Sequence, residues 1–158
     1  MAPNIEHRFI CDDHLGKLAR YLRVCGFDTV FDRTMGNGQL LQIALQDNRH
    51  ILTRDTGLIE FTLVRNYILI ESDDWAEQLK QVVDEYALTI DTAQFFSRCL
   101  EDNAPTVAVE KSSIRDLVYP YTYENHDDFR QCPLCRRVYW HGTHVKAMLD
   151  RLTAQGII

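Results

Sequence analysis

Four short apolar runs, each closed by an acidic residue, constrain this chain most. Arg8-Phe9-Ile10-Cys11 leads into Asp12 and Asp13, and Asp28-Thr29-Val30-Phe31 into Asp32. His50-Ile51-Leu52-Thr53 leads through Arg54 into Asp55, and Tyr67-Ile68-Leu69-Ile70 into Glu71, Asp73 and Asp74. Between the runs, apolar residues recur at helical spacing. Leu15, Leu18, Ala19, Leu22 and Cys25 mark one helix, with Gly26 just past its end. Leu40, Leu41, Ala44 and Leu45 mark a second, with Asn37 as its expected cap. A shorter helix is expected over 58–64. Trp75, Leu79, Val82, Val83 and Tyr86 mark another, with Ser72 as its expected cap. Strands alternating with helices predict an α/β domain with a parallel sheet and helices on both faces. Continuous apolar strands fit a sheet covered on both sides.

The strand-end acids then acquire a meaning. In an open parallel sheet all C-terminal strand ends share one edge, where ligands bind. Asp12, Asp32, Asp55 and Asp73 are therefore expected near one another despite their separation in sequence. Clustered carboxylates repel unless a cation neutralises them, so relieving that crowding at Asp12 is expected to stabilise the fold. Oxygen-rich sites suit Mg²⁺ or Mn²⁺, which promote attack on phosphate. Helix capping by Asp55 and Asp73 is the alternative reading of the same positions. Lys17, Arg20 and Arg23 fall opposite the leucines of the first helix, and Arg54 precedes Asp55. They are expected either to lie on a solvated face or to hold phosphate.

Beyond about residue 92 the pattern changes. Segments 103–105 and 119–128 read as loop, 136–140 as a short strand, and Val145, Met148, Leu149 and Leu152 as a last helix with Gly156 past its end. The chain divides on this reading into a main domain over 1–92 and a module over 93–158. A loop-rich module with few apolar residues needs a staple, and Cys132-Pro133-Leu134-Cys135 has the spacing of a metal knuckle. Five cysteines are an odd number and argue against a disulfide framework. Cys11 and Cys25 read as small buried hydrophobes.

Other functions are disfavoured. A net charge of −6 argues against a chain whose whole surface grips nucleic acid, leaving only a local basic patch. No apolar run approaches the roughly 20 residues of a membrane helix. Met1 to Glu6 lack a secretory pattern, so a cytoplasmic location is expected. Neither the Gly-x-x-x-x-Gly-Lys nor the Gly-x-Gly-x-x-Gly phosphate motif occurs.

The stretch from Phe9 to Thr29, with Asp12, Leu15-Gly16-Lys17, Arg20 and Gly26-Phe27-Asp28, resembles the opening motif of a PIN-like RNase family. That family is named for the C-terminal domain of the mutator-seven exonucleases. Ile51-Leu52-Thr53-Arg54-Asp55 and Gly57-Leu58 resemble its second motif. Cys132 to His144 resemble its third, which belongs to an appended zinc ribbon. The resemblance implies a three-layer α/β/α PIN-like domain that hydrolyses RNA phosphodiester bonds with Mg²⁺ or Mn²⁺, plus a small zinc-ribbon-like module. It implies Asp12 and Asp55 as catalytic metal ligands and makes Asp13 less favoured; Asp73 is a weaker third choice from its place after the fourth strand. Lys17, Arg20 and Arg54 would then bind substrate.

The chain departs from the family at two places. Many relatives carry acidic residues before the Leu-Leu of the second helix, where this chain has Asn37-Gly38-Gln39. Relatives also carry two Cys-x-x-Cys pairs, whereas here the first reads Cys99-Leu100-Glu101-Asp102. The expected zinc ligands are Cys99, Asp102, Cys132 and Cys135, with His126 and His144 as alternatives for the fourth. The leading function is a metal-dependent ribonuclease with RNA as partner. The rivals are an RNA- or ribosome-binding module that has lost catalysis, using Arg136, Arg137, His141, His144 and Lys146, and a PIN-type toxin with an antitoxin partner.

Overall fold

The computed structural model describes residues 7–60 and 64–158. The expectations placed on Met1–Glu6 and on the end of the 58–64 helix lie outside those residues. The chain forms two compact units, residues 1–22 with 27–89 and residues 23–26 with 90–158.

The first unit carries the α/β pattern. Its strands are β1 (Phe9–Cys11), β2 (Thr29–Val30), β3 (His50–Thr53) and β4 (Tyr67–Leu69). Its helices are α1 (Gly16–Val24), α2 (Asn37–Gln46) and α3 (Trp75–Tyr86), with a single 3₁₀ turn over Leu58–Glu60. The strands pair in parallel in the order β2-β1-β3-β4. All three residues of β1 are buried, so side chains pointing to opposite faces are equally covered. Ile10, Ile51, Leu40, Ala44 and Leu58 pack together around the β1–β3 pair. Leu40 and Ala44 reach it because a separation of four residues returns to the same helix face. Tyr21 and Trp75 stack at 3.7 Å, joining α1 to α3.

The strand order fixes the site. The connections of β1 and β3 lead to opposite sides of the order, which makes their junction the switch point where an α/β sheet opens a crevice. Cys11 pairs with Leu52, so Asp12 and Thr53 emerge side by side at the C-terminal edge. At the other edge Arg49, 9% exposed, binds Asp28 at 2.7 Å and donates to the Phe9 carbonyl at 3.2 Å.

The caps differ from expectation. Gly36, not Asn37, precedes α2, and Asn37 is its first residue. Asp74, not Ser72, caps α3 by accepting from the Ala76 and Glu77 N–H groups at 3.0 and 3.2 Å. The Ser72 hydroxyl reaches Glu77 instead. Gly26 has φ +93°, and a Cβ there would meet Ser97 Oγ at 2.6 Å. The helix end expected there is therefore an obligatory glycine position.

The second unit holds more regular structure than its sequence suggests. Strands β5 (Val107–Val109), β6 (Phe129–Gln131) and β7 (Val138–Tyr139) form an antiparallel sheet. The expected loop over 119–128 contains α4 (Pro120–Asn125), opened by a proline that needs no N–H partner at a helix start. The last helix, α5 (Thr143–Ala154), buries Val145, Met148 and Leu152. Phe95, Phe96, Ile114 and Phe129 are buried as well, so the unit does not rest on a metal alone. No helix among the described residues is long and apolar enough to cross a membrane.

Candidate functional sites

At the switch point, Asp12 is 3% exposed and accepts from three donors. Its Oδ2 accepts from the Thr53 hydroxyl and from the Arg54 N–H at 2.9 Å. Its Oδ1 accepts from the His14 N–H at 3.0 Å. Buried carboxylates need such partners, and those of Asp12 come from the end of β3 and the turn after β1. Thr53 links the two expected acids. Its hydroxyl donates to Asp12 while its oxygen accepts from the Asp55 N–H at 2.9 Å. Asp55, half-buried, accepts from the Gly57 N–H at 2.8 Å and from Asn37 Nδ2 at 3.4 Å. One connected network thus runs from Asp12 through Thr53 and Asp55 to Asn37. Thr53 is the residue that sequence reading left out; its only signal was being the last residue of β3, in register beside Asp12.

The other strand-end acids do not join this network. Asp32 accepts from its own neighbour Thr34, through N–H at 2.8 Å and hydroxyl at 2.7 Å, and these bonds lower its pKa. Asp13 is exposed and lies 3.6 Å from the His14 ring. Asp73 is exposed, and the carboxylate that acts beside it is the cap Asp74. Lys17, Arg20 and Arg54 are exposed on this unit. Arg23 is not on the expected basic face: it is 6% exposed and donates to the Leu100 and Glu101 carbonyls at 2.8 and 3.3 Å. It anchors a turn rather than holding a ligand.

The second site lies within the second unit and is built from two turns of the same design. Cys99 N–H donates to the Ala104 carbonyl and Cys132 N–H to the Arg137 carbonyl, five residues on in both cases. Asn103 N–H and Arg136 N–H donate back to the carbonyls of Cys99 and Cys132, and these two donors have φ +64° and +69°. Asp102 therefore occupies in its turn the place that Cys135 occupies in the other.

The ligand atoms of Cys99, Asp102, Cys132 and Cys135 lie within 4.8 Å of one another, the only group among the described residues so placed that it could hold a metal ion. Cys99 Sγ and Cys135 Sγ are 3.6 Å apart, and Cys132 Sγ is 3.3 Å from Asp102 Oδ2. Tetrahedral zinc with Zn–S near 2.3 Å requires S···S of about 3.8 Å, so the donor set fits that ion. The Leu134 and Cys135 N–H groups point at Cys132 Sγ at 3.4 and 3.5 Å. Burial raises the Asp102 pKa, but the Ala104 N–H and then the three thiols outweigh it, and the carboxyl lies below its usual range. The expected convergence of these four residues on one cluster is borne out, and that cluster could hold a metal ion. His126 and His144 are not part of it: their rings lie against Trp140 and Phe96.

A family model described as the Mut7-C RNAse domain matches residues 7–152. No curated protein and no solved structure matches the sequence.

Proposed function

The chain belongs to the Mut7-C RNAse domain family, and from that premise we propose that it hydrolyses RNA phosphodiester bonds with a divalent cation at the junction of β1 and β3. The observation that carries this reading is the Asp12–Thr53–Asp55 network at the switch point of the sheet. Two carboxylates suit Mg²⁺ or Mn²⁺, which take one or two protein carboxylates and complete their shell with water and substrate phosphate. Such a cation supplies Lewis-acid polarisation of the phosphate and a more acidic water. The chain's own part is positioning. Thr53 and the Arg54 N–H hold Asp12 in one orientation, and the Gly57 N–H and Asn37 hold Asp55. Lys17, Arg20 and Arg54 bind the RNA phosphates, and Asp73 is at most an outer acid. Around this site we read a three-layer PIN-like domain over 1–92, followed over 93–158 by a ribbon-like module. In that module Cys99, Asp102, Cys132 and Cys135 hold Zn²⁺, which supplies a structural staple.

Incubating the purified chain with labelled RNA and Mn²⁺ tests the reading. Cleavage that EDTA abolishes is expected. Asp12→Asn and Asp55→Asn should each reduce the rate about a hundredfold or more, since each removes a charged ligand. Asp55 is less buried, so its variant keeps the test informative if Asp12→Asn disturbs folding. Undiminished cleavage in both variants would refute the site. One observation favours the rival reading of a binding-only module: Asn37, where relatives carry an acid, offers Asp55 an amide donor instead of a second charge. RNA binding without cleavage at any Mn²⁺ concentration would decide for it.

A further inference from the structure

Three thiolates and a carboxylate bring four negative charges to a dication, so the centre depends on hydrogen-bond donors to spread the excess. The two turns solve this differently. In the Cys132 turn the backbone does so directly, through the Leu134 and Cys135 N–H groups. In the Cys99 turn the Leu100 N–H donates instead to Tyr139 Oη at 3.0 Å, and that oxygen lies 3.1 Å from Cys99 Sγ. The residue equivalent to Leu100 in the other turn is Pro133, which has no N–H to give. The arrangement therefore belongs to the first turn alone.

The hydroxyl is fixed from two further directions. Tyr139 is the last residue of β7, which is registered against Arg130 of β6. Its ring stacks on Phe96 at 5.5 Å with planes 15° apart. We infer that Tyr139 is a positioning residue of the metal centre, accepting from Leu100 and donating its hydroxyl hydrogen to the Cys99 thiolate. The direction follows from the chemistry. A metal-bound cysteine has no proton, and the Leu100 N–H can only donate. The sulfur is then the acceptor that the hydroxyl hydrogen faces. The tyrosine thus relays a backbone donor to a sulfur that lacks the direct contact seen at Cys132, and it holds the Cys99 side chain toward the other three ligands.

The inference rests on reading the cluster as a zinc centre, and Co²⁺ substitution tests the two separately. Full-length protein loaded with Co²⁺ should show an intense sulfur-to-cobalt charge-transfer band. Its absence from the unmodified chain would refute the thiolate centre itself. With the band present, Tyr139→Phe should shift it to lower energy, because a thiolate that loses a hydrogen bond gives up electron density more readily. Zinc affinity, measured by competition with a chromophoric chelator, should fall about tenfold to a hundredfold. Phenylalanine preserves the stack on Phe96, so packing alone would leave the band in place. Replacing Tyr139 by 3-fluorotyrosine keeps shape and hydroxyl while strengthening the donor, and should move the band to higher energy. That arm decides if Tyr139→Phe fails to fold. An unshifted band in the fluorotyrosine protein, or unchanged band and affinity in a folded Tyr139→Phe, would overturn the role of Tyr139.

Discussion

The two units of this chain hold their chemistry in opposite ways. In the first, an apolar parallel sheet comes first and two carboxylates are fastened to its edge, so the site depends on the core. In the second, short strands and turns bring Cys99, Asp102, Cys132 and Cys135 together beside a small buried apolar group. The contrast appears in the acids themselves. Asp12 is buried and each of its oxygens has a donor from the protein. Asp102 is exposed and faces sulfurs as well as the Ala104 N–H. A carboxylate held by N–H and O–H donors is stable without a cation, whereas a group of thiols and a carboxylate gains its purpose from one.

Metal removal should give the largest effect and would break the comparison if it failed. A strong chelator, or Cys132→Ser, is expected to strip hydrogen-exchange protection from β6 and β7 while leaving that of β1 and β3 in place. Structural zinc contributes on the order of 10 kcal/mol in small zinc-finger peptides, and a carboxylate ligand with a buried aromatic cluster nearby should make this case milder. The two tryptophans offer a second readout, since Trp75 belongs to the first unit and Trp140 to the second. Protection in β6 that survives full zinc removal would mean that Phe95, Phe96, Ile114 and Phe129 suffice to order the unit.

A smaller effect would sharpen the account of the first unit. Asn37→Asp places a carboxylate beside Asp55, where an amide now donates at 3.4 Å. Mn²⁺ binding, followed by electron paramagnetic resonance, should tighten about tenfold, because added ligand charge raises affinity for hard cations. Unchanged binding would place the cation away from Asp55. At Asp12 the surrounding donors reverse the expectation drawn from crowded charge. Asp12→Asn should lower thermal stability by about 1.5–3 kcal/mol, the value of hydrogen bonds to a charged group.

The smallest effect is a pH dependence confined to the N-terminal edge of the parallel sheet. Burial, and next the neighbouring His7, hold the His50 pKa below its ordinary 6.5. The folded chain then binds fewer protons than the unfolded one just below pH 6.5. Stability should be complete above that pH and fall as the pH drops toward the folded value, levelling off beneath it. The Nδ1 atoms of both histidines are buried without a hydrogen-bond partner among the described residues, so no acceptor there takes a hydrogen bond from the charged ring. His50→Phe should flatten this slope, as read from urea midpoints at pH 7 and pH 5. A slope that persists would assign it to another group.

The periodicities of residues 9–86 were sufficient for the parallel sheet and its helices, because buried strands and amphipathic helices repeat with fixed periods. The pair Cys132 and Cys135 was equally legible, since a three-residue spacing is a property of the local turn, whereas Cys99 and Asp102 were marked only by the resemblance to a ribbon with two such pairs. Strands β5 and β6 were not legible: β5 is largely exposed and β6 mixes Phe129 with Arg130 and Gln131, so neither repeats the parallel α/β alternation that marked the first unit, and their pairing joins positions some twenty residues apart. Caps were misplaced by one or two residues because Ser72, Asp73 and Asp74 are interchangeable as sequence signals and only backbone direction selects one. Thr53 and Tyr139 show the same limit at the two sites. Each acts by a hydroxyl aimed across strands at a residue about forty positions away, and no local pattern marks such a contact. The sequence by itself determined the strand–helix alternation of the parallel sheet and the knuckle spacing of Cys132 with Cys135. Tertiary structure alone decided which donor faces which ligand, because a hydrogen bond depends on angles and distances of tenths of an ångström that strand register and packing set.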